Sequence, residues 1–284
     1  MRPIASLSVA VRSERFLNAS GLQMLRATWQ YRGFVWGMVK REFQVRYLNS
    51  LLGSLWAVLN PLAMIIIYTV IFSQVMRARL PGVDDTLAYS LYLCAGLLPW
   101  TYFTELVVRC QTVFVEQAGL LKKMNFPRIT LPIILLISST INFAIIFGLF
   151  SVFLVVSGRF PGWGLLAFLP LLLIQQGFAL GLGILLGTIN VFYRDVAQFV
   201  GVVLQFWFWF TPIVYSIALL PESAKRVFGL NPMTGLVSAY QQIVLSGTWP
   251  QWSQFHLHVV GAGCALALAF FAFYKLSGEM VDEL

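Results

Sequence analysis

Six stretches of this chain are almost unbroken apolar runs, separated by short groups of polar residues. They cover 54–76, 88–110, 131–156, 164–191, 197–215 and 255–274. Each approaches or exceeds the roughly 20 residues that an α-helix needs to cross a hydrocarbon core of about 30 Å. The pattern predicts an all-α membrane protein with six transmembrane helices. Ahead of the first run, residues 31–50 follow another rhythm. Phe34, Val35, Met38, Val39, Phe43 and Tyr47 recur at helical spacing, with Lys40, Arg41, Gln44 and Arg46 largely between them. That is an amphipathic helix with a basic polar face, suited to lie along a bilayer surface; the other reading is a helix packed on a soluble domain. Residues 1–30 are mixed and basic, without a period or a signal-peptide core, and are expected to be a cytosolic tail. The chain thus divides into a tail (1–30), an interface helix (31–50) and a membrane domain (51–284).

Residues 216–254 break the pattern. They are long for a loop yet carry Leu230, Leu236, Val237, Ile243 and Val244. Too short and interrupted to span twice, they are expected to form re-entrant outer helices between spans five and six, packed on a pore or lying on the outer surface.

Charge placement sets the orientation. With both termini in the cytosol, Arg77, Arg79, Arg159, Lys225 and Arg226 fall outside, and the rest of the 19 Lys and Arg fall inside. Cytosolic loops of membrane proteins carry this excess of positive charge. Composition agrees: 59% of residues are hydrophobic and 11% charged, whereas a soluble globule carries about 25% charged residues. The net charge of +8 would point to nucleic acid in a soluble basic protein. Here it faces the membrane surface, so lipids are the expected partners and no nucleic acid is. Cys94, Cys110 and Cys264 sit in or beside apolar runs without CxxC spacing, which predicts small buried hydrophobes and no metal site.

Several chemistries lack their residues. There is no GxxxxGK[ST] phosphate loop, so the chain is not expected to hydrolyse ATP, and there is no HExxH motif. His256 and His258 lie at the outer start of the sixth run. Glu105 stands four residues before Arg109, the spacing of a helix ion pair; it reads as a snorkelling interfacial pair or as part of a gate. Asp84 and Asp85 are adjacent in the first outer loop, where a solvated turn explains them. A membrane-embedded glycan-processing enzyme would need such carboxylates.

Three stretches carry a family likeness: EQAGLLKKMNFPRITLPI (116–133), ALGLGILLGTINVFYRDVAQ (179–198) and TPIVYSIALLPESAKRVFGLNPMTGLVSAYQQIVL (211–245). With the interface helix and six runs, the chain resembles the membrane subunit of ABC-2 type exporters, in the branch that exports lipid-linked O-antigen, capsule or teichoic acid. An ABC-2 exporter of a drug or small lipid is the nearest alternative. The resemblance implies a homodimer in the bacterial inner membrane, served by two copies of a cytosolic ABC ATPase that holds ATP and Mg, with no cofactor in this chain. It implies a polysaccharide cargo on an undecaprenyl diphosphate carrier.

By that resemblance Gly119, Leu120, Leu121, Lys122, Lys123, Met124, Asn125, Phe126, Pro127 and Arg128 form the coupling helix. Leu120, Leu121, Met124 and Phe126 are expected to plug a groove of the ATPase, with Pro127 stopping the helix. Trp36, Lys40, Arg41 and Arg46 are expected to rest on anionic lipid and meet the carrier diphosphate. Asn231 and Pro232 are assigned to a re-entrant gate. Arg194 and Asp195 either contact the ATPase or form a simple turn. The run QFWFWF (205–210) points its rings all round a helix, so it cannot line one pore entirely. Trp207 and Phe210, with Tyr68, Phe72, Trp100 and Tyr102, are the expected channel rings, offering flat apolar faces to sugar C–H groups. Pro61, Pro99 and Pro212 interrupt spans one, two and five, as hinges or static kinks.

Overall fold

The computed structural model describes residues 31–46, 52–72, 85, 87–124 and 126–284. The tail 1–30, Tyr47, Arg77, Arg79, Asp84 and Asn125 lie outside them, and the side chain of Arg46 is likewise undescribed. Among the described residues, strands are absent and eleven α-helices follow one another. They are α1 (Arg32–Arg46), α2 (Trp56–Val70), α3 (Ala88–Glu116), α4 (Ala118–Lys123), α5 (Thr130–Val156), α6 (Phe168–Phe192), α7 (Asp195–Trp209), α8 (Glu222–Gly229), α9 (Pro232–Ser246), α10 (His256–Leu276) and α11 (Met280–Glu283).

Four helical stretches are long and apolar enough to cross a membrane: Ala88–Glu116, Thr130–Val156, Gly162–Phe192 and Trp252–Leu276. The other two expected spans are shorter as helices, Val58–Val70 and Asp195–Trp209. At 15 residues, α7 is about 22 Å long. The residue before a proline is driven out of the helical region, so Thr211–Pro212 ends α7 rather than kinking it. Pro61 and Pro99 do lie inside α2 and α3.

Helix α3 is the hub, packed against α2, α5, α6, α7 and α9. Phe103, Leu106, Val107, Cys110 and Phe114 recur at intervals of three and four and are buried. Lipid tails are as apolar as these side chains, so close packing, rather than escape from water, must hold the helices together. Helix α6 meets that need with glycine. A Cβ at Gly187 would stand 2.5 Å from the Cys110 carbonyl oxygen, and one at Gly183 would stand 2.6 Å from Cys110 Cβ. The G-xxx-G spacing thus lets α6 lie directly on α3. Gly181 allows the same approach to α10, where a Cβ would come within 2.6 Å of backbone.

Helix α9 is an apolar helix packed on the hub. Asn231 caps it by accepting the Met233 N–H at 2.9 Å, Pro232 occupies the first turn, and Gly247 (φ 66°) closes it in the left-handed region. Met233, Leu236, Val237, Tyr240, Ile243 and Val244 are its buried stripe. At the opposite end of α3, the interface helix α1 buries Val35 and Val39 and packs on α5.

Candidate functional site

Helices α1, α3, α4 and α5 enclose a cleft of about 550 Å³. Its apolar lining includes Met38, Val45, Leu120 and Leu135; its polar lining includes Arg41, Glu42, Arg109 and Glu116. Arg109 organises the polar side. Its guanidinium donates to Glu105 Oε1 at 3.2 Å, to Ser139 Oγ at 2.9 Å, and to Glu42. Ser139 and Asn142 also donate to the Glu105 carboxylate, each at 3.3 Å. The i,i+4 pair expected on α3 is therefore present, but it is one corner of a clamp joining α1, α3 and α5. Glu42 was missed by sequence reasoning; its signal is that it is the acidic residue of an otherwise basic helix, α1. Among the described residues Arg41 and Lys40 form no ion pair, and both are exposed. Trp36 is 62% exposed, as an anchor in lipid headgroups requires.

The expected coupling helix is shorter than anticipated. It ends at Lys123, and Met124 is extended (φ −123°, ψ 133°), so Pro127 acts only at the turn into α5. Leu121 and Phe126 are buried within the protomer, each 8% exposed. The Phe126 ring packs on Phe34 of α1 at 5.3 Å. These two side chains therefore cannot plug a partner's groove, which corrects their expected role. Lys122, Lys123 and Gly119 are exposed, and Met124 is the exposed apolar side chain of the segment.

The aromatic residues also divide. Trp100 and Tyr102 are buried in the core, and Tyr102 bonds Thr140 Oγ1 at 2.9 Å. Neither offers a face to a conduit, because Trp100 is 4% and Tyr102 2% exposed. Trp207 turns inward, edge-on to Trp100, Phe103 and Phe178. Phe210 stays exposed while stacking on Phe228 at 5.5 Å. Phe199, Phe206 and Trp209 are exposed on α7 as well. Tyr68 and Phe72 are half-buried and adjoin Tyr89.

Beyond α7, residues 210–216 are irregular, and side chains hold their backbone. Asn231 Nδ2 donates to the Phe210 carbonyl at 2.9 Å, and Gln241 Nε2 donates to Pro212 O at 3.1 Å. Tyr92 donates to Tyr215 O at 2.9 Å and Tyr89 to Val214 O at 2.5 Å. Trp207 Nε1 donates to Asn231 Oδ1 at 2.8 Å. Asn231 is thus cap, clasp and aromatic anchor together. Irregular backbone at membrane depth persists only where protein or water satisfies it; here α3 and α9 do so. Elsewhere, Asp85 is paired with Arg159 at 2.6 Å and accepts the Leu87 N–H, the bonding of a carboxylate that holds a turn. Among the described residues Arg194 and Asp195 form no ion pair with each other, and both are exposed.

Residues 34–245 match the family described as ABC-2 type transporter. The chain is 33% identical over 224 residues to the O-antigen export system permease protein RfbA of Myxococcus xanthus, covering 78% of this chain and 84% of that protein. A protein of the same name from Klebsiella pneumoniae is 32% identical over 212 residues, 74% of this chain and 80% of its own. The polysialic acid transport protein KpsM of Escherichia coli is 20% identical over 210 residues, 73% and 79% of the two chains.

Proposed function

The chain belongs to the ABC-2 type transporter family, and from that premise we propose that two copies of it form the conduit of a polysaccharide exporter. It is a multi-pass permease of the bacterial inner membrane and is not itself an enzyme; a partner ABC ATPase supplies the energy. In this reading two ATPase copies hold the ATP and Mg. The cargo is a polysaccharide on an undecaprenyl diphosphate carrier, and the names of the relatives favour O-antigen. The division into tail, interface helix and membrane domain belongs to the same reading.

Both termini, α1 and α4 face the cytosol, and α8 and α9 face outward. The exposed Lys40, Arg41, Lys122 and Lys123 support this orientation, since basic residues collect on the cytosolic side. Arg41, beside the amphiphilic cleft, meets the carrier diphosphate there, because Arg109 is already engaged by two carboxylates. The exposed rings of α7, with Tyr68 of α2 and Phe72 just beyond it, line the passage between protomers. Flat apolar faces give a moving glycan many weak contacts, and weak contacts do not hold it back.

The observation carrying the coupling role is how α4 is presented. Leu121 and Phe126 root it in the protomer, while Lys122, Lys123 and Met124 project. A short, rooted knob transmits force better than a loose loop. Met124→Asp is expected to leave the permease folded in the membrane, to abolish export, and to uncouple the ATPase. Leu121→Asp is expected to lower the amount of folded permease itself. Wild-type export by folded Met124→Asp protein would refute the docking role.

A further inference from the structure

A second cleft, of about 330 Å³, lies between the middle of α9, the Pro250–Phe255 turn and the start of α10. It is at the small end of ligand-sized cavities, which run about 300–1,000 Å³. Its polar lining is Ser238, Gln242, Gln251, Gln254 and His258. No lysine, arginine, aspartate or glutamate lines it. Helix α9 approaches α10 closely here: a Cβ at Gly235 would stand 2.6 Å from His258 Nε2.

Three amides, a hydroxyl and an imidazole make an unusual concentration of neutral hydrogen-bonding groups. A primary amide carries two donors and an acceptor on one rigid plane. That set matches a pair of neighbouring hydroxyls, each of which both donates and accepts. Gln254 Nε2 donates to Gln251 Oε1 at 2.9 Å, which pre-aligns the two amides. Among the described residues Gln251 Nε2 and Gln254 Oε1 keep no partner, so their bonding capacity is open. An anion or cation would find no opposite charge, and a purely apolar ligand would leave the amides unsatisfied at a cost of about 1–3 kcal/mol for each group buried without a bond.

Aromatic rings adjoin the amides. Trp249 and Trp252 have centroids 6.2 Å apart, and Trp252 is 6.2 Å from Phe255, which is 5.3 Å from His258. Trp249 is 52% and Trp252 40% exposed. Indole faces take up the C–H faces of pyranose rings while their N–H groups remain available for hydroxyls. Amides beside exposed indoles are the recognition chemistry of a neutral sugar.

We propose that this cleft binds one or two neutral sugar units of the exported polymer as it emerges. The proposal rests on the polysaccharide-export reading for the source of the sugar, and on the cleft alone for the binding chemistry. The site would retain the emerged chain between strokes, limiting backsliding.

The test uses the complete transporter, permease with its ATPase, in lipid nanodiscs. The probe is polysaccharide released by mild acid from the cells that carry the transporter, fluorescently labelled at its reducing end and followed by anisotropy. Saturable binding to the wild-type transporter is expected. Gln254→Ala and Trp252→Ala, both surface changes checked by elution profile, should each weaken it at least tenfold, and unlabelled undecaprenyl diphosphate should not compete. Absence of wild-type binding, equal binding by both variants, or competition by the carrier alone overturns the proposal. The export reading is judged separately: cells lacking the permease must lose surface polysaccharide, and if they do not, that reading fails whatever the cleft binds.

Discussion

Replacing Asn231 by alanine removes four hydrogen bonds at one stroke. The side-chain oxygen accepts from Met233 N–H at 2.9 Å and Trp207 Nε1 at 2.8 Å; the amide donates to Phe210 O at 2.9 Å and Thr211 Oγ1 at 3.0 Å. Losing an N-cap costs about 1 kcal/mol. Leaving the largely buried Trp207 indole N–H without an acceptor costs about 1–3 kcal/mol. Of the two lost donations, one goes to the carbonyl of the exposed Phe210, which water reaches, and the other to the buried Thr211 Oγ1, which keeps its own bond to the Trp207 carbonyl at 2.9 Å; together they add a few tenths of a kcal/mol. The sum is about 2–4 kcal/mol, which at roughly 2–4 °C per kcal/mol lowers Tm by about 5–15 °C. The assay is thermal unfolding of the purified permease, followed by loss of the monodisperse peak on size exclusion. Asn231→Asp keeps both acceptor bonds and places negative charge at the α9 N-terminus, where it is favourable by about 0.3–1 kcal/mol. It should recover most of the loss. Trp207→Phe removes the indole donor, so Asn231→Ala in that background should cost at least about 0.5 kcal/mol less, beyond the scatter of additive pairs. A Tm for Asn231→Ala within 1 °C of wild type, or an aspartate as damaging as the alanine, would refute the clasp.

Two further substitutions probe the frame. Gly187→Val drives a side chain into the Cys110 carbonyl and should cost about 1–3 kcal/mol or more, seen as a fall in folded protein in membranes. Gly201→Ala on α7 meets nothing within 4 Å and should be neutral or slightly stabilising, since alanine gains up to about 1 kcal/mol over glycine in a helix. Arg109→Met removes the guanidinium that joins the Glu42 and Glu105 carboxylates and should destabilise by about 1–3 kcal/mol, less than a fully buried pair because all three groups retain some exposure. Adding Glu42→Gln and Glu105→Gln should restore most of the Tm; failure to restore it would show that Arg109 acts through packing and not charge.

Much of the fold was written in periodicity. The long apolar runs, the basic amphipathic segment and the Glu105–Arg109 spacing all reappear as structure, because each is a property of neighbours along one helix. What failed was direction across helices. Leu121 and Phe126 are equally apolar whether they face a partner or the core, and a six-residue helix offers too few turns to show a face. Trp100 and Tyr102 gave a clearer hint that went unused. Helix α3 is the less apolar and the more buried of the two, and α5 the more apolar and the less buried. In a membrane the less hydrophobic span is the one wrapped by protein, because only there do Tyr92 and Tyr102 find polar partners. Glu42 and the ties to residues 210–216 join positions from 20 to 125 residues apart, and no local pattern encodes such pairings.

Those ties explain how a 15-residue helix can serve in the expected fifth crossing. Helix α7 covers about 22 Å of a core near 30 Å, and the remainder falls to the irregular segment after it. Irregular backbone there must find donors for its carbonyls, and Tyr89, Tyr92, Gln241 and Asn231 supply them. Each such bond contributes on the order of 1 kcal/mol net, so they can be exchanged one at a time, whereas breaking a continuous helix costs several at once. Tyr89 and Tyr92 stand at the start of α3; Arg109 stands towards its end, and α4 follows after a single residue. Helix α3 has 29 residues and is about 44 Å long. Under the proposed docking role, the helix that receives the push at α4 is also the helix that holds the irregular segment at the far side. A displacement of α3 therefore reaches residues 210–216 through one packed helix, with Pro99 the point inside it where the helix can bend.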